Sequence, residues 1–379
     1  MPVRGANLDR LWLGHKVGDE KSSRFNGPIS AFFLLKLSTC PMNFRSIAQL
    51  SDQLVQWSRR LPRDIDVIVG VPRSGLLVAN ILATYRNIPL AEVDGFIEGR
   101  CYRTGHVKED ALNAKDTEAH LSFLSKPRRV LVVDDTVSTG ASLRGVRERI
   151  EAAGLPHTVE YAAVYTLPGK EGLVDYHCEV LAAPRIFEWN LFHHRSLLPQ
   201  ACVDMDGVLC ANPSSREDDD GERYLSFLAE TRPFMQPSAE IGWIVTSRLE
   251  RYRAETEAWL AEHGVRYREL IMLDYPNAET RKEMRINGAN KADVYRRTGA
   301  ALFIESDIRQ AVEIATLARR EVLCIDTMQM IRPGTVPMPR PLTFGDESVP
   351  NLPRRIARKV IPRNARAQLL GLVRGSSHH

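Results

Sequence analysis

The segment Val130 to Ser142 (VLVVDDTVSTGAS) places two adjacent acids, Asp134 and Asp135, at the end of an apolar strand and just before a run of small residues. Thr136, Val137, Ser138, Thr139 and Gly140 then open a helix, where backbone N–H groups and hydroxyls can receive a phosphate and the helix dipole adds to the attraction. Two carboxylates at the mouth of such a loop can accept hydrogen bonds from vicinal hydroxyls of a sugar carrying that phosphate. A strand ending in Asp-Asp also serves nucleotide-hydrolysing enzymes as a magnesium site, but those carry G-x-x-x-x-G-K-[ST], and this chain has none. A second segment, Val69 to Gly75 (VGVPRSG), likewise follows an apolar strand and precedes an apolar helix.

Further along, Ala201 to Leu209 (ACVDMDGVL) sets Asp204 and Asp206 two residues apart after another apolar strand. A calcium loop shares the D-x-D-G start, yet its twelfth position is Ser215 where a bidentate Glu is required. Three further segments follow in order: Ile244 to Ser247 (IVTS), Lys291 at a helix start, and Phe303 to Asp307 (FIESD).

The first pair of segments resembles the type I phosphoribosyltransferases, over about residues 42–198. The resemblance implies that Asp134 and Asp135 hold the ribose hydroxyls of phosphoribosyl pyrophosphate and that Thr136, Val137, Ser138, Thr139 and Gly140 cradle its 5-phosphate. It further implies a pyrophosphate loop in which Arg73 neutralises the leaving group while Ser74 and Gly75 give hydrogen bonds and close backbone approach. Gly95 to His106, with Arg100, Tyr102 and Arg103, lies where that family carries a mobile catalytic loop. The acceptor would sit near Phe187, Glu188, Trp189 and Asn190, with Trp189 either stacking on it or packing the domain junction.

The second set resembles the four motifs of haloacid dehalogenase phosphatases. It implies that Asp204 attacks phosphorus and that Asp206 protonates the leaving group and then activates water. Thr246 and Lys291 would hold the phosphoryl oxygens, and magnesium would lie among Asp204, Asp206, Glu305 and Asp307. Glu-Ser-Asp departs from the paired aspartates of many relatives, which leaves open which acid meets the metal. The short stretch between Asp204 and Thr246 leaves little room for a large cap over the site.

These segments need strands and helices to carry them. Short β-branched runs alternate with helix-like stretches from Asp66 to about Thr166 and again from Ala201 to Asp326, the mark of parallel sheets with crossover helices. With 379 residues and 44% hydrophobic content, the chain suits two α/β cores. The expected architecture is two Rossmann-like domains, each a mainly parallel sheet flanked by helices, plus a Pro-rich basic C-terminal tail. The boundaries are a poorly defined leader (1–41), a transferase domain (42–198), a phosphatase domain (199–332) and the tail (333–379). The spacing of Phe44, Ile47, Leu50, Leu54 and Trp57 predicts the first helix.

A net charge of +4 suits phosphate-bearing substrates without demanding a nucleic-acid partner, and none is expected. Six scattered cysteines without a C-x-x-C pair point to a reducing compartment, so the chain is expected in the cytoplasm. Residues 354–374 interleave arginines with apolar residues and carry no acid, a pattern for peripheral contact with the inner face of an anionic membrane or for a solvated tail. The two resemblances in series imply transfer of 5-phosphoribosyl to an acceptor, expected to be a glycan or lipid-linked saccharide, and removal of the 5-phosphate to leave ribose. The alternatives are a nucleobase phosphoribosyltransferase with a nucleotide phosphatase, or a regulatory protein that binds phosphoribosyl pyrophosphate without turnover.

Overall fold

The computed structural model describes residues 41–102, 104, 123–218, 220–277 and 287–334. The leader up to residue 40, Arg103, residues 105–122 and the tail with its basic segment 354–374 lie outside the described residues.

β1 (Asn43–Arg45) leads into α1 (Ile47–Ser58), followed by β2 (Val67–Gly70), α2 (Ser74–Arg86), β3 (Leu90–Glu92) and α3 (Val93–Ile97). β4 (Arg129–Val137), α4 (Ala141–Ala152), β5 (Thr158–Thr166), β6 (Tyr176–Val180) and β7 (Arg185–Phe187) complete the N-terminal half. Five of these strands form a sheet of order β3-β2-β4-β5-β6, parallel throughout. Its central strand is buried on both faces from Val130 to Val133, as the continuous apolar run VLVV requires. β1 and β7 pair in parallel as a separate small sheet, and two 3₁₀ segments follow it before the second half begins.

Two expectations change here. Phe44 belongs to β1 rather than to the first helix, because Ser46 and Gln49 form a capping box that starts α1 at Ile47. Leu50, Leu54 and Trp57 keep their helical spacing and are buried. The phosphate loop is also shorter than its sequence suggests: Thr136 and Val137 pair with Tyr165 and Thr166 of β5, so β4 runs through Val137 and the loop proper is 138–140.

In the C-terminal half, β8 (Ala201–Val203), α5 (Glu222–Glu230), β9 (Ile241–Leu249), α6 (Arg253–Glu262) and β10 (Tyr267–Leu273) precede α7 (Asn287–Thr298). β11 (Leu302–Glu305), α8 (Ile308–Ala318), β12 (Val322–Cys324) and β13 (Gln329–Ile331) follow. The sheet order is β10-β9-β8-β11-β12-β13, parallel except for the terminal β12/β13 hairpin. Both halves are thus mainly parallel sheets flanked by helices, as expected. Strand order reverses at β8, so the carboxyl ends of β8, β9 and β11 bound the crevice where open α/β sheets receive ligands.

One apolar cluster joins the halves. Met42, Phe44, Ile186, Leu191 and Phe192 pack with Val203, Met205, Ile244 and Ile304 in a single core. The backbone N–H of Met42 donates to Glu321 Oε2 at 2.5 Å and that of Ser238 to the Phe192 carbonyl at 3.1 Å. Among the described residues, no helix is long and apolar enough to cross a membrane.

Candidate active sites

In the N-terminal half, Asp134 and Asp135 lie at the carboxyl end of β4 and both are buried. The Asp135 carboxylate is held on both oxygens: Ser74 Oγ donates to Oδ1 at 2.8 Å and Trp189 Nε1 to Oδ2 at 2.7 Å. Asp134 Oδ1 accepts from the Asp135 backbone N–H at 2.9 Å. Burial, then the neighbouring Asp135 charge, pushes the Asp134 carboxyl up to about 8. A carboxyl poised in that range resembles acids that enzymes tune for ligands or protons.

The VGVPRSG segment folds against these acids. The Val71 N–H donates to the Val133 carbonyl at 2.9 Å, and a Cβ on Gly75 would sit 2.7 Å from that same carbonyl and 3.1 Å from Asp134 Oδ1. Glycine at 75 is therefore required by close approach to β4 itself. Arg73 is exposed at the N-terminus of α2. Ser138 and Thr139 are exposed, and Gly140 takes a left-handed φ of 75° and gives α4 no side-chain cap. Thr136 Oγ1 is buried without a hydrogen-bond partner among the described residues, while the Val137 side chain belongs to the core. Thr139 Oγ1 accepts from the Ala141 N–H only at 3.4 Å, so the weakly capped helix start and the orphaned hydroxyl both fit an anion bound at this loop.

Trp189 does not stand free as a stacking platform. Its ring stacks on Phe187 at 4.8 Å between centroids, Phe187 stacks on Tyr165, and its N–H is committed to Asp135. Arg100 is paired with Glu98, Tyr102 is exposed, and Gly95 falls within α3.

In the C-terminal half, the structure brings Asp204, Lys291 and Glu305 together. Lys291 Nζ lies 2.8 Å from Asp204 Oδ2 and 2.7 Å from Glu305 Oε2, and also donates to Gln310 Oε1 at 3.1 Å. All three charged groups are buried. Burial, then the Glu305 charge, raises the Asp204 carboxyl well above the carboxylate range, against the pull of Lys291. Burial would lower the Lys291 ammonium, but Asp204 and Glu305 outweigh it and hold it above its ordinary value. Thr246 is buried near the end of β9, and its Oγ1 accepts from the Arg248 N–H at 3.2 Å.

Asp206 and Asp307 are engaged elsewhere. The guanidinium of Arg248, fully buried, contacts both Asp206 oxygens, with Nη2 to Oδ1 at 2.6 Å and Nε to Oδ2 at 3.2 Å. Asp307 caps α8 by accepting from the N–H groups of Arg309 and Gln310, and also pairs with the Arg309 side chain. Burial would raise the Asp307 carboxyl, but these donors outweigh it and hold it below the ordinary range. Of the four expected metal-binding acids, Asp204 and Glu305 thus share the buried cluster. Two acids crowd one ammonium, and a second cation in place of a proton would hold both as carboxylates, which fits a magnesium ion held by one or two carboxylates with substrate oxygens and water. Among the described residues, no group of three or more His, Cys, Asp or Glu side chains is placed to hold a metal.

Sequence reasoning passed over two arginines. Arg248 follows IVTS by one residue, on the same side of the strand as Thr246, a period-two signal that was readable. Arg185 precedes the run IFEWN and reaches back to the phosphate loop, donating from Nη2 to Ser138 Oγ at 2.8 Å and to the Val137 carbonyl at 3.2 Å.

Residues 43–196 match the family described as phosphoribosyl transferase domain. Among curated relatives, an adenine phosphoribosyltransferase of Nitrosopumilus maritimus (strain SCM1) is 29% identical over 126 residues, 32% of this chain and 72% of the relative. A hypoxanthine/guanine phosphoribosyltransferase of Methanohalophilus mahii (strain ATCC 35705 / DSM 5219 / SLP) is 26% identical over 109 residues, 28% of this chain and 54% of the relative. Among solved structures, a purine phosphoribosyltransferase from Pyrococcus horikoshii Ot3 aligns with 40% of this chain and 94% of its own, at 22% identity and a TM-score of 0.27.

Proposed function

We propose that the phosphoribosyltransferase domain formed by residues 43–196 transfers the 5-phosphoribosyl group of phosphoribosyl pyrophosphate to a nucleobase-class acceptor, and that residues 199–332 hydrolyse a phosphomonoester through Asp204. The observation that carries the transferase reading is the placement of Asp134 and Asp135, buried side by side on β4, just ahead of the weakly capped start of α4. The names of the relatives, adenine and hypoxanthine/guanine phosphoribosyltransferases, support the nucleobase class. The saccharide acceptor expected from the sequence has no support among them and enters as the competing arm of the test.

On this reading Asp134 and Asp135 accept from the ribose hydroxyls, with Asp135 fixed in orientation by Ser74 and Trp189. The loop 138–140 and the first N–H groups of α4 hold the 5-phosphate, while Arg73 faces the departing pyrophosphate. Positioning and charge neutralisation supply most of the rate, since an oxocarbenium-like displacement asks for little covalent help. Magnesium would offset charge on the leaving group.

In the second site, Asp204 attacks phosphorus, the bond to the leaving alkoxide breaks, and Asp206 gives that alkoxide its proton. Water then attacks the aspartyl-phosphate and frees inorganic phosphate. Lys291 contacts the Asp204 carboxylate, and it and Thr246, from the adjacent strand β9, would receive the phosphoryl oxygens. Guanidinium offers only donors, so Arg248, contacting both Asp206 oxygens, stabilises the carboxylate left by that transfer, which then takes a proton from attacking water. Asp204 and Glu305 would hold magnesium, which supplies Lewis-acid stabilisation of the phosphoryl group.

The experiment follows pyrophosphate and inorganic phosphate release from phosphoribosyl pyrophosphate with magnesium, in the wild type and in Asp204→Asn, across nucleobases and saccharides. Pyrophosphate release with a nucleobase, and phosphate release lost only in the variant, is the expected result. Release with saccharides alone would overturn the acceptor assignment, and equal phosphate release by both proteins would overturn the phosphatase assignment.

A further inference from the structure

Arg185 is a half-buried cation whose described partners are all neutral. Its guanidinium donates to Ser138 Oγ, to the Val137 carbonyl, and at 3.4 Å to the Leu181 carbonyl, and it lies 5.7 Å from the Phe187 ring centroid. Among the described residues no carboxylate lies within ion-pair distance of it. Burial lowers its guanidinium below the ordinary value, and the attraction of Asp135 offsets only part of that. Leaving such a charge uncompensated costs the unliganded protein stability, so something other than folding accounts for it.

The surroundings say what the charge is for. The run Thr136 to Gly140 holds no cation of its own, and the acids preceding it, Asp134 and Asp135, offer a phosphate dianion no attraction. Backbone N–H groups and a helix dipole contribute partial charges only. Arg185 reaches the loop from β7, in the small sheet, and its contact with Ser138 Oγ puts a guanidinium edge beside the exposed loop hydroxyls.

Resting on the phosphoribosyltransferase reading, we propose that Arg185 is a donor-binding residue of this site, supplying the full positive charge that selects a ribose bearing a 5-phosphate over an unphosphorylated one. It holds the phosphate from the small-sheet side while the loop holds it from the α4 side. Arg73, at the other loop, serves the pyrophosphate and is independent of it.

The test compares wild type, Arg185→Gln and Arg185→Lys by calorimetric titration with ribose 5-phosphate, with phosphoribosyl pyrophosphate and with inorganic pyrophosphate, alongside melting curves without ligand. The loss of charge-assisted hydrogen bonds predicts that Arg185→Gln binds both phosphorylated sugars about tenfold more weakly or worse. Arg185→Lys recovers part of that loss, pyrophosphate binding stays within about twofold of wild type, and the unliganded melting temperature holds or rises. Unchanged ribose 5-phosphate affinity in Arg185→Gln overturns the proposal. So does a parallel loss of pyrophosphate binding and of unliganded stability, which marks a purely structural arginine. Failure of the wild type to bind any of the three probes overturns the site reading beneath it, and is distinguished by occurring without any substitution.

Discussion

The indole N–H of Trp189 donates to Asp135 Oδ2 at 2.7 Å, across 54 positions of sequence, tying the 3₁₀ segment after the small sheet to the acid pair of the main sheet. That bond fixes one oxygen of the carboxylate, while the ring itself packs on Phe187.

Trp189→Phe keeps the ring against Phe187 and removes only the donor. A hydrogen bond to a charged group is worth roughly 1.5–3 kcal/mol, so phosphoribosyl pyrophosphate affinity is expected to fall by about tenfold or more. The acceptor KM is expected to move far less, a split that steady-state kinetics with both substrates would reveal. A rise confined to the acceptor KM would instead restore the stacking role.

Asp134 makes stability depend on pH in a direction opposite to most aspartates. Its folded-state value of about 8 lies above the unfolded value of 3.8, so between these the folded protein binds the extra proton and stability falls as pH rises. Asp134→Asn is expected to raise the melting temperature at pH 9 and to change it little at pH 4. Melting curves of both proteins across that range check the sign, and a constant offset at every pH would refute it.

Arg248→Met strands Asp206 beside a cavity from which its only ionic partner among the described residues has gone. Breaking a buried pair on one side costs on the order of 3–5 kcal/mol, here reduced by the partial exposure of Asp206. Replacing both as Arg248→Met with Asp206→Asn is expected to recover much of the loss in urea unfolding, while phosphate release stays abolished. Equal destabilisation in the single and double variants would show that Arg248 acts through packing alone.

Asp204→Asn removes one of the two acids crowding Lys291. The unliganded variant is expected to melt at or above the wild type, and magnesium at millimolar concentration is expected to raise the melting temperature of the wild type but not of the variant. A magnesium shift of equal size in both proteins would place the ion elsewhere.

Much of this was legible in the chain because apolar strand runs and the acids that end them sit together in sequence. VLVVDD and ACVDMD each specify a buried parallel strand and the groups at its carboxyl end, and both are found there. What escaped was carried by distance. Arg185 and Trp189 make their contacts with the acid loop only after the chain has completed two and three more strands respectively, and no local pattern records that return. The end of β4 escaped for a different reason: Thr136 and Val137 look like loop residues by composition, and only pairing with Tyr165 and Thr166 keeps them extended. Asp307 looked like a metal ligand beside Glu305, but helix capping claimed it, as it commonly claims an Asp preceding a helix.

The apolar cluster that runs from Met42 and Phe44 through Ile186 and Phe192 into Val203 and Ile304 leaves the polypeptide without a seam at residue 198. Severing it there would lay greasy surface open on both fragments, so the two halves are expected to stand or fall as one folding unit. Calorimetry of the intact chain is expected to record a single endotherm, with both activities lost together on warming.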